Sequence, residues 1–167
     1  MSIDKAIENS AASVEMEGFH IDEQCKDWCR KLLQGELTME EYIVLVNGII
    51  DKQEQTIKAP IARKENSIIE RCVNFTGDNA ITIIELLQTF ETYSLIRCIL
   101  KTGRTHQIRV HTSYIGHPIL GDDLYGNKSD KINRQALHAL KINFIHPITN
   151  KKLEITSKIP KDIESLI

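Results

Sequence analysis

The sequence contains few cysteines, and their spacing gives no reason to pair them. The four are Cys25, Cys29, Cys72 and Cys98, which is neither the density of a secreted disulfide scaffold nor the spacing of two paired zinc-ligand motifs. We therefore expect reduced thiols and no metal site. For Cys25 and Cys29, one helical turn apart, packing in a helical core is the favoured interpretation, with metal binding or redox work as the alternative.

The sequence also lacks a secretory leader and a membrane span. Its start, "MSIDKAIENS", has no basic region followed by an apolar run, and nowhere do about 18 apolar residues follow one another. These absences predict a cytoplasmic protein that is neither exported nor inserted in a membrane.

Charge is nearly balanced over the whole chain but not along it. Lys and Arg number 21 against 23 Asp and Glu, so the net charge is -2, which argues against a strongly electrostatic nucleic-acid binder. Residues 1 to 60 carry 6 basic and 12 acidic side chains (6 − 12 = −6), and residues 61 to 167 carry 15 and 11 (15 − 11 = +4). This split indicates that the two parts face different partners.

The acidic part of the chain has helical periodicity. Ser2 is a suitable N-cap for an amphipathic helix that ends at Gly18, and a second helix is predicted from near Asp22 to Gly35. Thr38 and Glu41 in "TMEE" form a capping box for a third helix. The following "YIVLV", residues 42 to 46, is β-branched and aromatic enough for a strand, so both structures stay open here.

The rest of the chain alternates short apolar runs with turn signals. The sum predicts an α+β protein, in which a small helical module over residues 1 to 40 precedes a mostly antiparallel sheet with short helices over residues 41 to 167. The predicted strands lie around Ala80 to Leu86, Tyr93 to Leu100, Thr105 to His111, Leu137 to Phe144 and Lys152 to Thr156.

The segment "KTGRTHQIRVH" concentrates charge in a predicted strand. Regular alternation would place Thr105, Gln107 and Arg109 on one face. From the end of a strand Arg109 could pair bidentately with a carboxylate or a phosphate, and Lys101 and Arg104 would add a positive rim. The alternative is a surface sheet with charged edges.

The sequence that follows this segment contains three glycines and a proline that are best interpreted as turn formers. No Gly-rich strand-to-helix fingerprint surrounds them, so they do not indicate a phosphate-binding loop. They are Gly116, Pro118, Gly121 and Gly126.

Five pieces of the sequence carry a family resemblance. They are "YIVLVNG", "TIKAPIAR", "LKTGRTHQIRVHTSYIGHPILGDDLYG", "RQALHAL" and "FIHPIT". In this order, over residues from about 42 to 160, they resemble the C-terminal half of the catalytic domain of the RluA-type pseudouridine synthases. The resemblance implies isomerisation of uridine to pseudouridine in structured RNA, rRNA or tRNA, with no metal or organic cofactor.

The resemblance also implies roles for single residues. Arg109 matches the arginine that forms an ion pair with the catalytic aspartate, and Tyr42 matches the tyrosine that stacks near the target base. Both roles are physically reasonable, because an arginine keeps a nucleophilic carboxylate ionised and a ring stacks on a flipped-out base. Support of the sheet is the alternative for His106. The residues expected to contact RNA are Lys101, Arg104, His106 and Gln107.

One motif of the family is missing. The family carries its nucleophile in a His-Arg-Leu-Asp segment followed by Thr-Ser-Gly, ahead of the tyrosine strand. The aspartates ahead of Tyr42 are Asp4, Asp22 and Asp27, and none has these neighbours. Because covalent catalysis has no first step without a nucleophile, we expect a partial domain that is inactive alone.

A second resemblance concerns the first 46 residues. The string "SVEMEG" places Ser13 and Glu17 one helical turn apart before Gly18. Residues from 3 to about 46 resemble the VbhA-type antitoxins, whose Ser/Thr-x-x-x-Glu-Gly helix inhibits Fic-domain adenylyltransferases. The resemblance implies that Glu17 pairs with an arginine of a Fic toxin supplied in trans, and that Ser13 anchors the motif. A solvated helix end is the alternative.

Overall fold

The computed structural model describes residues 40–145, 149 and 151–167. The helices predicted from Ser2 and Asp22 lie outside these residues, as do Ser13, Glu17 and Gly18. Eight strands and two short helices form the described part. The strands are β1 (Glu40–Asn47), β2 (Glu54–Lys58), β3 (Ile61–Arg63), β4 (Arg71–Val73), β5 (Ile81–Thr89), β6 (Tyr93–Leu100), β7 (Leu137–Ile145) and β8 (Lys152–Thr156), and the helices are α1 (Gln107–Tyr114) and α2 (Lys161–Glu164).

Most of these elements belong to one compact unit, which comprises residues 40–141 and 156–167. Its main sheet has the strand order β2-β5-β6-β1-β7, and a small second sheet contains β3 and β4. β1 pairs antiparallel with β6, and β6 with β5. β7 continues into a second unit that includes residues 142–155, where β8 lies beside it. The mostly antiparallel sheet with short helices that the sequence predicts is confirmed.

The ambiguous segment after the capping box is a strand. Ile43, Val44, Leu45 and Val46 are all buried, so both faces of β1 are covered, and β1 lies between β6 and β7 in the sheet. A continuous β-branched run is typical of such a central strand. The prediction of a third helix is therefore wrong from residue 40 onward, and Tyr42 lies on β1.

The strand predicted from Thr105 to His111 is also wrong. His106 has a left-handed backbone (φ 58), and α1 follows it directly. The helix places Gln107 and His111 on its buried side while Arg109 is only partly covered. Thr105, Gln107 and Arg109 therefore do not share a face. The other four predicted strands are confirmed as β5, β6, β7 and β8.

A buried histidine ties α1 to the main sheet. The imidazole of His111 is fully buried, with Nδ1 2.8 Å from Thr82 Oγ1 and Nε2 2.9 Å from the carbonyl oxygen of Ala59. A carbonyl only accepts, so Nε2 carries the proton and Nδ1 accepts from the Thr82 hydroxyl. Burial lowers the pKa of His111, against a smaller opposing effect of the Ala59 carbonyl.

This arrangement predicts a loss of stability in mild acid. Below pH 6.5, the ordinary pKa of histidine, the unfolded chain takes up a proton that folded His111 refuses, so the free energy of unfolding falls as pH falls. The folded pKa of His106 is lowered too and adds to the same trend. Urea unfolding above and below pH 6.5 measures the effect, and His111→Gln should reduce the pH dependence. An equal pH dependence in that variant would show that His111 is not its source.

Candidate active site

A buried ion pair lies at the centre of the conspicuous sequence block. From α1, Arg109 donates through Nε to Asp122 Oδ2 at 2.7 Å and through Nη2 to Oδ1 at 2.6 Å. The side chain of Asp122 is 0% exposed and that of Arg109 is 14% exposed. Two parallel hydrogen bonds fix the plane of the guanidinium as well as its position.

Asp122 is itself held by the chain that follows it. Its Oδ1 accepts hydrogen bonds from the backbone N–H groups of Leu124 (3.1 Å) and Tyr125 (3.2 Å). Burial alone would raise the pKa of Asp122, but the hydrogen bonds and charge of Arg109, with the two amides, hold that pKa below its ordinary value. Asp122 is therefore an ionised, fully occupied support for Arg109.

Tyr125 covers the guanidinium from the side. The ring centroid lies 4.9 Å from Cζ of Arg109, which is within the range of a cation–π contact. The Tyr125 hydroxyl accepts from the backbone N–H of Arg71 at 2.7 Å and lies 2.9 Å from Nδ1 of His106. Burial, with the positive charges of Arg109 and Arg71, lowers the pKa of His106, which favours the neutral imidazole in this contact.

Nη1 of Arg109 makes no hydrogen bond within residues 40–145, 149 and 151–167, whereas Nε and Nη2 are both engaged. A guanidinium held by one edge and open at another can bond a second carboxylate or a phosphate without moving. The geometry is suited to the orientation of an anion.

The residues expected to contact RNA divide into two groups. Lys101 is exposed, and Arg104 donates through Nε to the carbonyl oxygen of Asn79 at 2.9 Å while remaining partly exposed. Gln107 is 2% exposed, and its amide bonds Thr102, Thr82 and the backbone of residues 81 and 104. The amide of Gln107 therefore supports α1 and is not placed at the surface, which does not fit the expected RNA contact.

Tyr42 belongs to a different set of contacts from the Arg109–Asp122 pair. It is half-buried on β1, opposite Cys98 of β6, and its hydroxyl donates to Glu40 Oε2. Burial first, and then the bond and charge of Glu40, raise the pKa of this hydroxyl. In the part of the chain that the structure describes, Tyr42 shares no hydrogen bond or ring contact with Arg109, Asp122 or Tyr125.

The described residues contain no group of three or more His, Cys, Asp or Glu side chains arranged to hold a metal ion. None of their helices has the length and apolar character that a bilayer crossing needs.

The sequence alone did not assign Asp122 or Tyr125 to the site. Both follow Gly121 within "GDDLYG", where two neighbouring aspartates look equivalent.

Comparison with known proteins gives a consistent result. The model of the family described as RNA pseudouridylate synthase matches residues 22–114, which are more than half of the chain. The uncharacterized RNA pseudouridine synthases YjbO and YlyB of Bacillus subtilis are 42% and 40% identical to it over 131 and 136 residues. Ribosomal large subunit pseudouridine synthase C of Vibrio cholerae is 39% identical over 141 residues.

The coverage of these relatives is partial. The matches cover 78%, 81% and 79% of this chain but 46%, 45% and 44% of the three relatives, so the chain spans about half of their length. The solved structure of human RNA pseudouridylate synthase domain containing 1 shares the fold, with a TM-score of 0.71 at 24% identity over 83% of this chain and 61% of that one. By the match to the family model, the chain belongs to the RNA pseudouridylate synthase family.

Proposed function

We propose that this chain supplies the arginine side of a pseudouridine synthase site that acts on uridine in structured RNA. The observation that carries the proposal is the guanidinium of Arg109, which Asp122 holds through Nε and Nη2 at 2.7 and 2.6 Å while Nη1 makes no hydrogen bond to the described residues. In this role Arg109 pairs with the nucleophilic carboxylate and keeps it ionised and oriented. Tyr42, on β1, is proposed to stack on the target base.

Asp122 is not a candidate for the nucleophile. Its side chain has no exposed surface, and both of its oxygens are occupied by Arg109, with backbone amides at Oδ1. A nucleophilic carboxylate must reach the base, whereas Asp122 only supports the arginine. Since no His-Arg-Leu-Asp segment occurs in the 167 residues, we propose that they do not isomerise uridine alone.

The relatives suggest the class of substrate. Two of the names among them are ribosomal large subunit pseudouridine synthase C and D. On that basis rRNA is the proposed substrate of this chain, with tRNA as the alternative, and the cytoplasm is the proposed compartment.

An assay of the isolated chain tests its inactivity. The purified 167 residues are incubated with transcribed large-subunit rRNA labelled with tritium at uridine C5, and pseudouridine is also read by mass spectrometry. We expect no tritium release above the rate without protein. Product formation that Arg109→Ala abolishes would overturn the proposed inactivity and would require a nucleophile elsewhere in the chain.

A separate proposal concerns the N-terminal motif and rests on the string "SVEMEG" alone. In it, Glu17 inhibits a Fic-domain adenylyltransferase by pairing with an arginine of that enzyme. Glu17→Gly should abolish inhibition of toxin adenylylation. Equal inhibition by the wild-type and variant chains would refute this role.

A further inference from the structure

An open cavity lies beside Tyr125. Its volume is about 370 Å³, which is at the lower end of the range for small-ligand sites. The β3–β4 hairpin, the end of α1 and the turn after Asp122 form its walls. The lining residues that matter here are Arg71, Val73, Val110, Tyr114, Leu124 and Tyr125.

Arg71 lines this cavity, and a second arginine lies beside it on the hairpin. Arg63 and Arg71 are directly opposed in the antiparallel β3–β4 pair, so their side chains leave the same face of the hairpin. Lys64, the other cation at the rim, is paired with Glu70 at 2.7 Å. Neither arginine has a carboxylate within ion-pair distance in the described ranges, and like charges directly opposed are destabilising. A bound anion would remove that cost.

Besides the polar side chains of Lys64, Glu70 and Ser113, the cavity has an apolar and aromatic part. Val73, Val110 and Leu124 line it together with the ring of Tyr114, a residue that is 58% exposed at the end of α1. An exposed ring beside an apolar surface is a stacking platform for a nucleobase. An arginine that can bind a phosphate and a ring that can stack on a base thus lie in the same cavity, as recognition of one nucleotide requires.

Tyr125 connects this cavity to the proposed site. Its ring lines the cavity and also contacts the guanidinium of Arg109 at 4.9 Å, while its hydroxyl accepts the backbone N–H of Arg71. A nucleotide in the cavity is therefore one side chain away from Arg109. That separation fits neighbouring nucleotides of a single strand.

We propose that the cavity between the β3–β4 hairpin and α1 binds an unpaired nucleotide of the RNA substrate that lies close to the target uridine. Arg71, with Arg63 beside it, holds the phosphate, and Tyr114 stacks on the base. The inference rests on the proposed function, because it takes RNA as the substrate. The shared chemistry of base and phosphate also fits a free nucleotide, which the test separates from RNA.

Binding of a short fluorescent single-stranded RNA to the full chain, read by anisotropy over a series of salt concentrations, tests the proposal. Arg71→Gln should weaken binding roughly tenfold, as expected for one hydrogen bond to a charged group. It should also lower the slope of log affinity against log salt by about 0.7, the value for one phosphate contact on a single strand. A purely structural effect would leave that slope unchanged.

Tyr114 tests the base position independently. Tyr114→Ala should weaken binding by about 5-fold to 100-fold without a change in salt slope, because base stacking is not ionic. Tyr114→Phe keeps the ring and should bind like the wild type. Lys52→Gln is the charge-matched control, since it removes one positive charge from an exposed residue ahead of β2.

The outcomes separate the two proposals. If Arg71→Gln and Tyr114→Ala bind RNA as the wild type does, the nucleotide site is overturned and the role of Arg109 stands. If uridine monophosphate alone binds as tightly as the RNA, the cavity is a free-nucleotide site and the RNA assignment is overturned. If the wild-type chain binds no RNA, the proposed RNA-directed function fails, and the nucleotide site fails with it.

Discussion

Replacement of Asp122 by alanine is expected to lower the free energy of unfolding by about 3–5 kcal/mol, the usual cost of removing one partner from a buried ion pair. The substitution leaves the guanidinium of Arg109 only 14% exposed and without its carboxylate. It also removes the acceptor of the Leu124 and Tyr125 backbone amides. Three separate groups lose their partner at once, which explains the size of the effect.

A second arginine–aspartate pair provides the control. Arg134 donates to Asp162 through Nε and Nη2 at 2.8 and 2.9 Å, in the same two-bond geometry, but these side chains are 40% and 43% exposed. Asp162→Ala should therefore cost only about 0–1 kcal/mol. Urea unfolding of both variants measures the difference. Equal losses would contradict the view that burial makes the Arg109–Asp122 pair critical.

Gly121→Ala is expected to destabilise the protein by about 2–5 kcal/mol, the sum of a left-handed backbone and an overpacked contact. Gly121 has φ 75, a conformation that favours glycine. A Cβ there would collide with the carbonyl oxygen of Arg134 and approach Cγ2 of Ile132 to 2.9 Å. The backbone carbonyl cannot move aside as a flexible side chain can.

Gly116 isolates the backbone part of this effect. It also has a positive φ, of 86, but a Cβ at this position meets nothing within 4 Å. Gly116→Ala should therefore show only the backbone cost of about 1–2 kcal/mol. Thermal or urea unfolding of the two variants gives the difference between them. If the two glycines cost the same, the close approach at Gly121 is not important for stability.

The sheet was predictable because its strands carry their signal locally. β6 was predicted with its observed bounds, since a β-branched run between turn signals leaves few alternatives. The capping box at Thr38 and Glu41 is a real helix signal, but the four consecutive buried residues from Ile43 to Val46 fit a strand that is covered on both faces. Local propensity gave way there to burial, which depends on distant parts of the chain.

The helix α1 was missed for a reason that the sequence does not display. "THQIRVH" satisfies strand alternation over a few residues, and short segments cannot separate the two periods. What determines the helix is the left-handed turn at His106 and the bonds of Gln107 to Thr102, Thr82 and two backbone groups. Those partners come from the preceding strands and turns, so only the folded chain brings them together.

The candidate site was predictable in part. The family resemblance pointed to Arg109, whereas only the structure identified Asp122 as the residue that holds it. Asp122 and Asp123 are neighbours of the same type, yet Asp122 is buried against Arg109 and Asp123 is exposed. The direction of the turn after Gly121 decides between them, and it depends on the approach of Ile132 and Arg134.

We propose that Arg109 forms half of a synthase site that a nucleophile-bearing segment completes. The most direct measurement mixes this chain with the separately expressed part of the relative YjbO that it does not cover, and follows pseudouridine in rRNA by mass spectrometry. We predict product only when both parts are present, its loss with Arg109→Ala and Arg109→Lys, and its retention with Arg134→Ala. Product formed equally well with both Arg109 variants would contradict the account.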